Sequence, residues 1–121
     1  MNALFISLLL LAPNAQAKTF TLDCEWTAQA PRPANDPDYQ VVKNVFRDRG
    51  GKWKFVYTLV ATPENDSLRP QVFQLEEVSG DEGYLVFKAK GTGTEKLGWI
   101  TIKNEFNWAT IDAEDGNYDC H

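Results

Sequence analysis

Three short segments of strand-forming sequence follow one another in residues 84–112, and this succession is the feature that most restricts the possible folds. The segments span residues 84–89, 97–103 and 106–112, and each is rich in aromatic and β-branched side chains. Gly, Asn, Asp or Thr residues lie between them, as is typical of turns. Because three antiparallel strands are about the minimum for a stable sheet, this stretch predicts a β-meander as the centre of the fold.

Further strand patterns precede and follow this meander. Residues 18–26 and 53–60 alternate between apolar and polar side chains, which predicts strands with one buried face. Residues 40–47, 71–78 and 117–120 are less clearly patterned strands, and a short helix is an alternative for the first of these. About seven or eight short strands predict an all-β fold, either a small antiparallel up-and-down β-barrel, which we favour, or a two-sheet β-sandwich.

The N-terminal residues have the features of a secretory leader. Residues 4–12 are an almost unbroken apolar run, and residues 15–17 read Ala-Gln-Ala, a small-x-small cleavage site. The run is shorter than the roughly 20 apolar residues that span a bilayer. No lysine or arginine precedes it, so a buried N-terminal segment is the alternative. We expect residues 1–17 to be a cleaved signal peptide and residues 18–121 to form a single β domain, periplasmic or secreted, without a membrane anchor.

The chain has two cysteines, Cys24 near the predicted mature N-terminus and Cys120 next to the C-terminus. An even number of cysteines in an exported protein indicates a disulfide, here one that joins the first and last strands. The single histidine is the terminal His121, and two thiols with one terminal imidazole do not make a closed zinc site. We therefore expect a disulfide, no metal and no cofactor.

Composition and residue inventory argue against several functions. The net charge of −5 disfavours binding to nucleic acid or anionic lipid. The predicted mature chain has serines only at Ser67 and Ser79 and no internal histidine, so it lacks the usual parts of a nucleophilic hydrolase. Glu76 and Glu77 are neighbours in a predicted strand and so face opposite sides of the sheet. We expect no enzyme, and a glycosidase built on another carboxylate pair is the remaining catalytic alternative.

Both faces of the predicted meander are apolar, which leaves two arrangements. If residues 104–105 form the turn, one face carries Trp99, Phe106 and Trp108, and the other carries Ile100, Ile102, Ala109 and Ile111. In the first arrangement the isoleucines fill a narrow barrel, and Trp99 and Trp108, with Tyr84, form an exposed aromatic platform for a sugar, a peptide or a protein. In the second the tryptophans are core and the proline-rich loop of residues 27–38 covers the isoleucines. We prefer the second, and take Trp99, Trp108 and Tyr84 as the binding residues if the first is correct.

Part of the chain resembles the bacterial periplasmic inhibitors of c-type lysozyme. The likeness consists of Phe20 four residues before Cys24, a Ser79-Gly80 turn followed by Tyr84, and a cysteine near the C-terminus. In that family the tyrosine follows the turn two residues sooner, and this chain lacks the family's later aromatic and Lys-Gly segment. The resemblance implies that Ser79 and Tyr84 are the contacts of an inhibitory loop.

Together these features predict an exported, non-catalytic binding module that uses an aromatic face or the mouth of a barrel. Its partner is an unknown protein, glycan or small ligand, with no nucleic acid involved. A secreted enzyme inhibitor is the alternative that the resemblance supports.

Overall fold

A computed structural model describes residues 17–34, 36–63, 65, 67–90, 98–103, 105–114 and 116–121. Residues 1–16 of the expected signal peptide lie outside the described residues, so the leader stays a prediction. In the part of the chain that is described, no helix has the length and apolar character needed to cross a membrane.

Eight antiparallel strands form one closed barrel. Each strand pairs with the next along the chain, and the last pairs with the first. The strands are β1 Lys18–Trp26, β2 Asp38–Arg47, β3 Trp53–Thr62, β4 Gln71–Asp81, β5 Tyr84–Lys90, β6 Trp99–Lys103, β7 Trp108–Ala113 and β8 Gly116–Cys120. This confirms the predicted up-and-down barrel, and both the sandwich and the helix over residues 40–47 are wrong.

A disulfide between Cys24 and Cys120 joins β1 to β8, as predicted. The two cysteines are opposite each other in the register of these strands. Beyond them, the backbone N–H groups of Asp23 and His121 each donate to the other residue's carbonyl at 3.0 Å, which extends the ladder to the C-terminus. A structural disulfide is compatible with an extracellular location.

The isoleucine face of the meander lies inside the barrel, so the arrangement that we preferred from the sequence is wrong. Ile100, Ile102, Ala109 and Ile111 are buried, whereas Trp99 is 47% exposed. The register gives the reason, because Ile100 pairs with the buried Phe87 on β5 and with Ile111 on β7, so these side chains share the inner face. The rest of the core comes from Leu22, Tyr39, Val41, Leu59, Ala61, Phe87, Ala89, Phe106, Tyr118 and Cys120.

Phe106 does not share a face with Trp108, in contrast to the prediction. Lys103 is paired with Trp108, so the turn is longer than two residues and includes Glu105, Phe106 and Asn107. Glu105 and Phe106 both have positive φ angles, 57° and 76°, and the turn places the Phe106 ring in the core. The sequence could not indicate this, because bulky residues rarely adopt that conformation.

One end of the barrel is partly covered by aromatic side chains. Tyr118 makes edge-to-face contacts with Trp26 and Tyr39, with ring centroids 5.2 and 5.1 Å apart. The indole N–H of Trp26 donates to the carbonyl of Ala30 at 2.7 Å, which ties the proline-rich loop to the same end. These contacts cover part of this end, and a recess of about 510 Å³ lined by Pro37, Ala61 and Leu68 lies beside them.

The opposite end is open, because β1 and β3 continue there beyond the residues that pair with β8 and β4. β2 and β3 pair over all ten residues of each strand, from Asp38 opposite Thr62 to Arg47 opposite Trp53. β1 pairs with β2 over residues 18–23 but with β8 only over residues 24–26. The predicted inward faces are correct here, yet Phe20, Trp53 and Phe55 are exposed because no strand covers them.

Candidate functional site: an open cleft between β3 and β4

The ladder between β3 and β4 is short, and this shortness creates a cleft in the barrel wall. The two strands pair only from Thr58 opposite Gln74 to Ala61 opposite Gln71. Among the described residues no strand pairs with residues 53–57 of β3 on the β4 side, although all five pair with β2. Likewise residues 75–81 of β4 pair with β5 alone. The wall is therefore open between two strand edges.

This opening is continuous with the open end of the barrel. A recess of about 530 Å³ lies at the open end and a second of about 420 Å³ lies between β3 and β4, and Phe55, Tyr57 and Leu85 line both. We call the two together the open cleft. The side chains that line it are Lys43, Phe55, Val56, Tyr57, Gln74, Leu75, Glu77, Asp81, Tyr84, Leu85, Phe87, Ile102, Glu105 and Phe106.

The floor of the open cleft is aromatic. The ring of Tyr57 lies 4.9 Å from that of Phe87 and 6.2 Å from that of Phe106, measured between centroids. Phe55, two residues before Tyr57 on the same face of β3, is 53% exposed at the rim. Such a surface suits an apolar or aromatic group of a ligand.

Lys43 is a cation on the inner face of β2, two residues after the buried Val41. Its ammonium nitrogen lies 4.9 Å from the centroid of Phe55 and 6.0 Å from that of Phe106, which is the range of cation–π attraction. No carboxylate oxygen of the described residues lies within 4.0 Å of it. Lys43 thus contacts aromatic rings and has no counter-ion within that distance among the residues that the structure describes.

Glu77 is the opposite charge on the other side of the open cleft. It pairs with the buried Phe87 in the register of β4 and β5 and therefore faces inward. No lysine or arginine nitrogen of the described residues lies within 4.0 Å of its carboxylate. Burial, and in second place the negative charge of Glu77, raise the pKa of the Tyr57 hydroxyl above its usual value. Tyr57 therefore offers a neutral hydroxyl at physiological pH.

Two hairpins of opposite charge border the open cleft. The β2–β3 hairpin carries four exposed cations against one carboxylate, Asp48, which binds the turn through its side chain. The β4–β5 hairpin is acidic at its tip and along β4. The cations are Arg47, Arg49, Lys52 and Lys54, and the carboxylates are Glu76, Glu77, Asp81 and Glu82.

The open end also holds most of the large apolar side chains that the described residues expose. These are Phe20, Phe46, Trp53, Phe55, Val78 and Tyr84. Leu68, Val72 and Trp99 are the others, and none of them lines the open cleft. A concentration of exposed apolar side chains at one end of a small protein is typical of a binding surface.

The structure places Ser79 and Tyr84 on the acidic β4–β5 hairpin, close to its turn. A β-bulge lies between Glu77 and Ser79, and beyond it Ser79 pairs with Val86 and Asp81 pairs with Tyr84. Both side chains are exposed, and Tyr84 also lines the rim of the open cleft. Bulges of this kind bend a strand and often occur beside functional sites.

Trp99, Trp108 and Tyr84 are on the outer surface but do not form one platform. Tyr84 and Trp108 are both cross-strand neighbours of Lys103, whereas Trp99 lies four residues earlier on β6, about 13 Å away at the usual rise per residue. Trp108 is also covered, since Lys103 places its ammonium 4.4 Å from the ring centroid and the ring of His121 stacks on it at 6.2 Å.

The sequence missed the two cleft charges, Lys43 and Glu77. The position of Lys43 could have been found from the sequence, because it lies two residues from both Val41 and Val45 and so shares their face of strand β2. For Glu77 the alternation with Phe73 and Leu75 gives the face. Neither pattern indicates that β3 and β4 separate, since that depends on pairing between distant residues.

Comparison with known proteins adds no assignment, since no protein-family model, no curated protein and no solved structure matches this chain.

Proposed function

We propose that this protein is an exported, non-catalytic binding module that takes its ligand or partner in the open cleft. The observation that carries the proposal is the separation of β3 from β4 beyond Thr58 and Gln74, which opens a recess lined by Phe55 and Tyr57 above the buried ring of Phe87. Binding sites in β-barrels commonly lie at such mouths. Lys43 and Glu77 supply charges that a ligand can satisfy.

The open cleft suits this role better than the outer aromatic surface does. Trp108 is covered by Lys103 and His121, and Trp99 stands apart from Tyr84. In the open cleft, by contrast, the ring centroids of Phe87 and Phe106 lie 4.9 and 6.2 Å from that of Tyr57. The predicted signal peptide and the disulfide support a periplasmic or secreted location.

The proposal is tested by mapping where probes of three classes bind. Isotope-labelled protein is titrated with a short valine-lysine peptide, with chitotriose and with 8-anilinonaphthalene-1-sulfonate, and amide shifts are followed by NMR. We expect at least one probe to shift the amides of Phe55, Tyr57 and Leu75. Shifts confined to residues around Trp99, or none with any probe, would contradict the proposal.

A matched pair of variants distinguishes specific binding in the open cleft from non-specific binding to exposed apolar side chains. Phe55→Asp places a charge at the rim of the cleft, and Val72→Asp places one at an exposed valine on the outside of β4. Both positions are exposed on neighbouring strands, so their effects on stability should be similar. We expect only the first to weaken probe binding, by about tenfold, the loss expected when one apolar anchor of a site becomes charged.

Inhibition of a c-type lysozyme is a second candidate, favoured by one observation. Ser79 and Tyr84 are both exposed on the same protruding acidic hairpin, next to a bulge. A lysozyme activity assay with the wild-type protein and with the double variant Ser79→Ala/Tyr84→Ala tests it. Inhibition by wild type that the double variant loses is the expected result, and full inhibition by the variant would exclude these contacts.

A further inference from the structure

We propose that the occupant of the open cleft is an extended peptide segment, which adds as a strand to the free edge of β3. This rests on the proposed function and names the class of partner. The peptide's inward side chains are apolar, with a basic residue opposite Glu77. Affinity then comes from main-chain hydrogen bonds, and specificity from alternate side chains.

The free edge of β3 is suited to strand addition. Residues 53–57 form a regular strand with β2 and, in the described structure, have no strand on their other side. An edge of this kind presents unpaired N–H and C=O groups at the spacing that another strand requires. A sugar or a compact small molecule has no comparable row of donors and acceptors to match it.

The facing edge of β4 is protected against the same use. A bulge between Glu77 and Ser79 breaks its register, and Glu77 directs a charge inward. Bulges and inward-facing charges are among the devices by which edge strands avoid pairing. β3 shows no bulge in its ladder with β2. Strand addition is therefore expected on β3, with β4 as the opposite wall.

Charge indicates which peptide fits. A strand beside β3 directs every second side chain towards Tyr57 and Phe87, whose rings are 4.9 Å apart, and towards Glu77, whose carboxylate has no cation within 4.0 Å among the described residues. Apolar residues satisfy the rings, and a lysine or arginine satisfies Glu77. The basic residue is confined to the position opposite Glu77, because Arg47, Lys52 and Lys54 beside β3 would repel further cations.

A second copy of this chain fits the edge less well. Pairing of β3 with β3 of another copy brings together two β2–β3 hairpins, each with four exposed cations and one carboxylate. Like charges placed side by side oppose association. Sedimentation over a range of protein concentrations tests this occupant directly, and dimerisation that protects the β3 amides would overturn the proposal.

The test uses a synthetic peptide, the valine-lysine peptide, which is long enough to span residues 53–57 and alternates threonines with an inward-facing series of two valines and one lysine. Its dissociation constant is measured by fluorescence anisotropy. Two further versions carry N-methyl groups, one on the valines and the lysine and the other on the threonines. Because N–H groups of successive residues in a strand point to opposite sides, one version blocks the edge that faces β3 and the other does not. Loss of binding with a single version is expected, and any other pattern overturns strand addition.

Protein variants test the position of the basic side chain. Glu77→Gln should weaken binding of the valine-lysine peptide about two- to fivefold, as expected for a partly exposed ion pair. Glu76→Gln is the matched control, because Glu76 faces outward on the same strand and contacts Lys90 at 3.1 Å. Equal effects of the two variants would overturn the role of Glu77.

Failure of the peptide proposal can be distinguished from failure of the proposed function. If chitotriose or 8-anilinonaphthalene-1-sulfonate shifts the amides of Phe55 and Tyr57 while the peptide does not bind, the open cleft is a binding site and its occupant is not a peptide. If none of the three probes shifts those amides, both proposals fail.

Discussion

At the scale of single residues, the barrel depends on a few positions where only one side chain is tolerated. Gly98 precedes β6 with a φ of 71°, and a Cβ atom there would collide with the carbonyl oxygen of Asp112 on the neighbouring strand. Gly51, in the β2–β3 turn, has a similar φ of 80° but open space around it. Alanine variants of these two glycines therefore distinguish the cost of a positive φ angle from the cost of a steric clash.

We expect Gly98→Ala to destabilise the protein more than Gly51→Ala does. A positive φ at a non-glycine residue costs about 1–3 kcal/mol, and both variants incur this cost. Only Gly98→Ala adds a clash with backbone, which cannot move without disturbing the β6–β7 ladder. Urea unfolding of the two variants measures the difference, and equal free energies of unfolding would contradict the close approach.

Tyr57 makes stability depend on pH in the alkaline range. Its folded-state pKa is raised above 10.0, by burial first and then by Glu77. A raised pKa means that the unfolded state loses this proton first, so the associated stabilisation is present below about pH 10 and is lost as the pH rises through the folded-state pKa. Between about pH 9 and about pH 11 the free energy of unfolding should fall more for wild type than for Tyr57→Phe. Parallel falls in the two proteins would contradict this.

At the scale of elements, the turn between β6 and β7 shows how a short connection closes part of a barrel. The backbone carbonyl oxygen of Lys103 accepts hydrogen bonds from the N–H groups of Phe106 and Asn107, both at 3.1 Å. This geometry directs the Phe106 ring into the interior beside Tyr57, where it is 8% exposed. A positive φ at a phenylalanine is unfavourable by itself, so the burial of the ring must offset the strain.

Removal of the Phe106 ring should therefore cost as much as loss of a core residue. We expect Phe106→Ala to lower the free energy of unfolding by about 3 kcal/mol. Phe20→Ala is the control, since Phe20 has the same side chain on the inner face of β1 but is 47% exposed, and should cost about 1 kcal/mol or less. Chemical denaturation of both variants is the measurement, and similar costs would show that Phe106 does not fill the core.

At the scale of the whole molecule, the strand pattern and the cysteines predicted an all-β fold and favoured a barrel, but left a two-sheet sandwich as the alternative. Alternation in residues 18–26 and 53–60 gave the correct inward faces, and the positions of Cys24 and Cys120 indicated the closure of β1 on β8. The pattern could not predict which inward-facing side chains are buried. Phe55 lies on the inner face of β3 like a core residue, but it is exposed because no described strand covers it. The open cleft likewise depends on how far β3 and β4 remain paired, which no local segment encodes.

The disulfide is the strongest single constraint on the folded chain. It closes a loop between residues 96 positions apart, and loss of such a crosslink costs on the order of 4–5 kcal/mol in the chain-entropy model. We expect Cys24→Ser/Cys120→Ser to lose about that much stability in urea unfolding under oxidising conditions. Wild type under reducing conditions is the control and should match the variant. A variant as stable as the oxidised wild type would contradict a stabilising role.

The short β3–β4 ladder determines where the barrel opens in local fluctuations of the native state. A ring of strands yields first at its weakest junction, and four residue pairs hold this one while a covalent bond holds the β8–β1 junction. Fluctuations of the native state should therefore break the hydrogen bonds between β3 and β4 while the other ladders of the barrel stay formed. Of the successive amides of Leu59 and Val60, the one that points to β4 would then exchange with solvent sooner than the one that points to β2. A ligand could also enter or leave without unfolding of the protein.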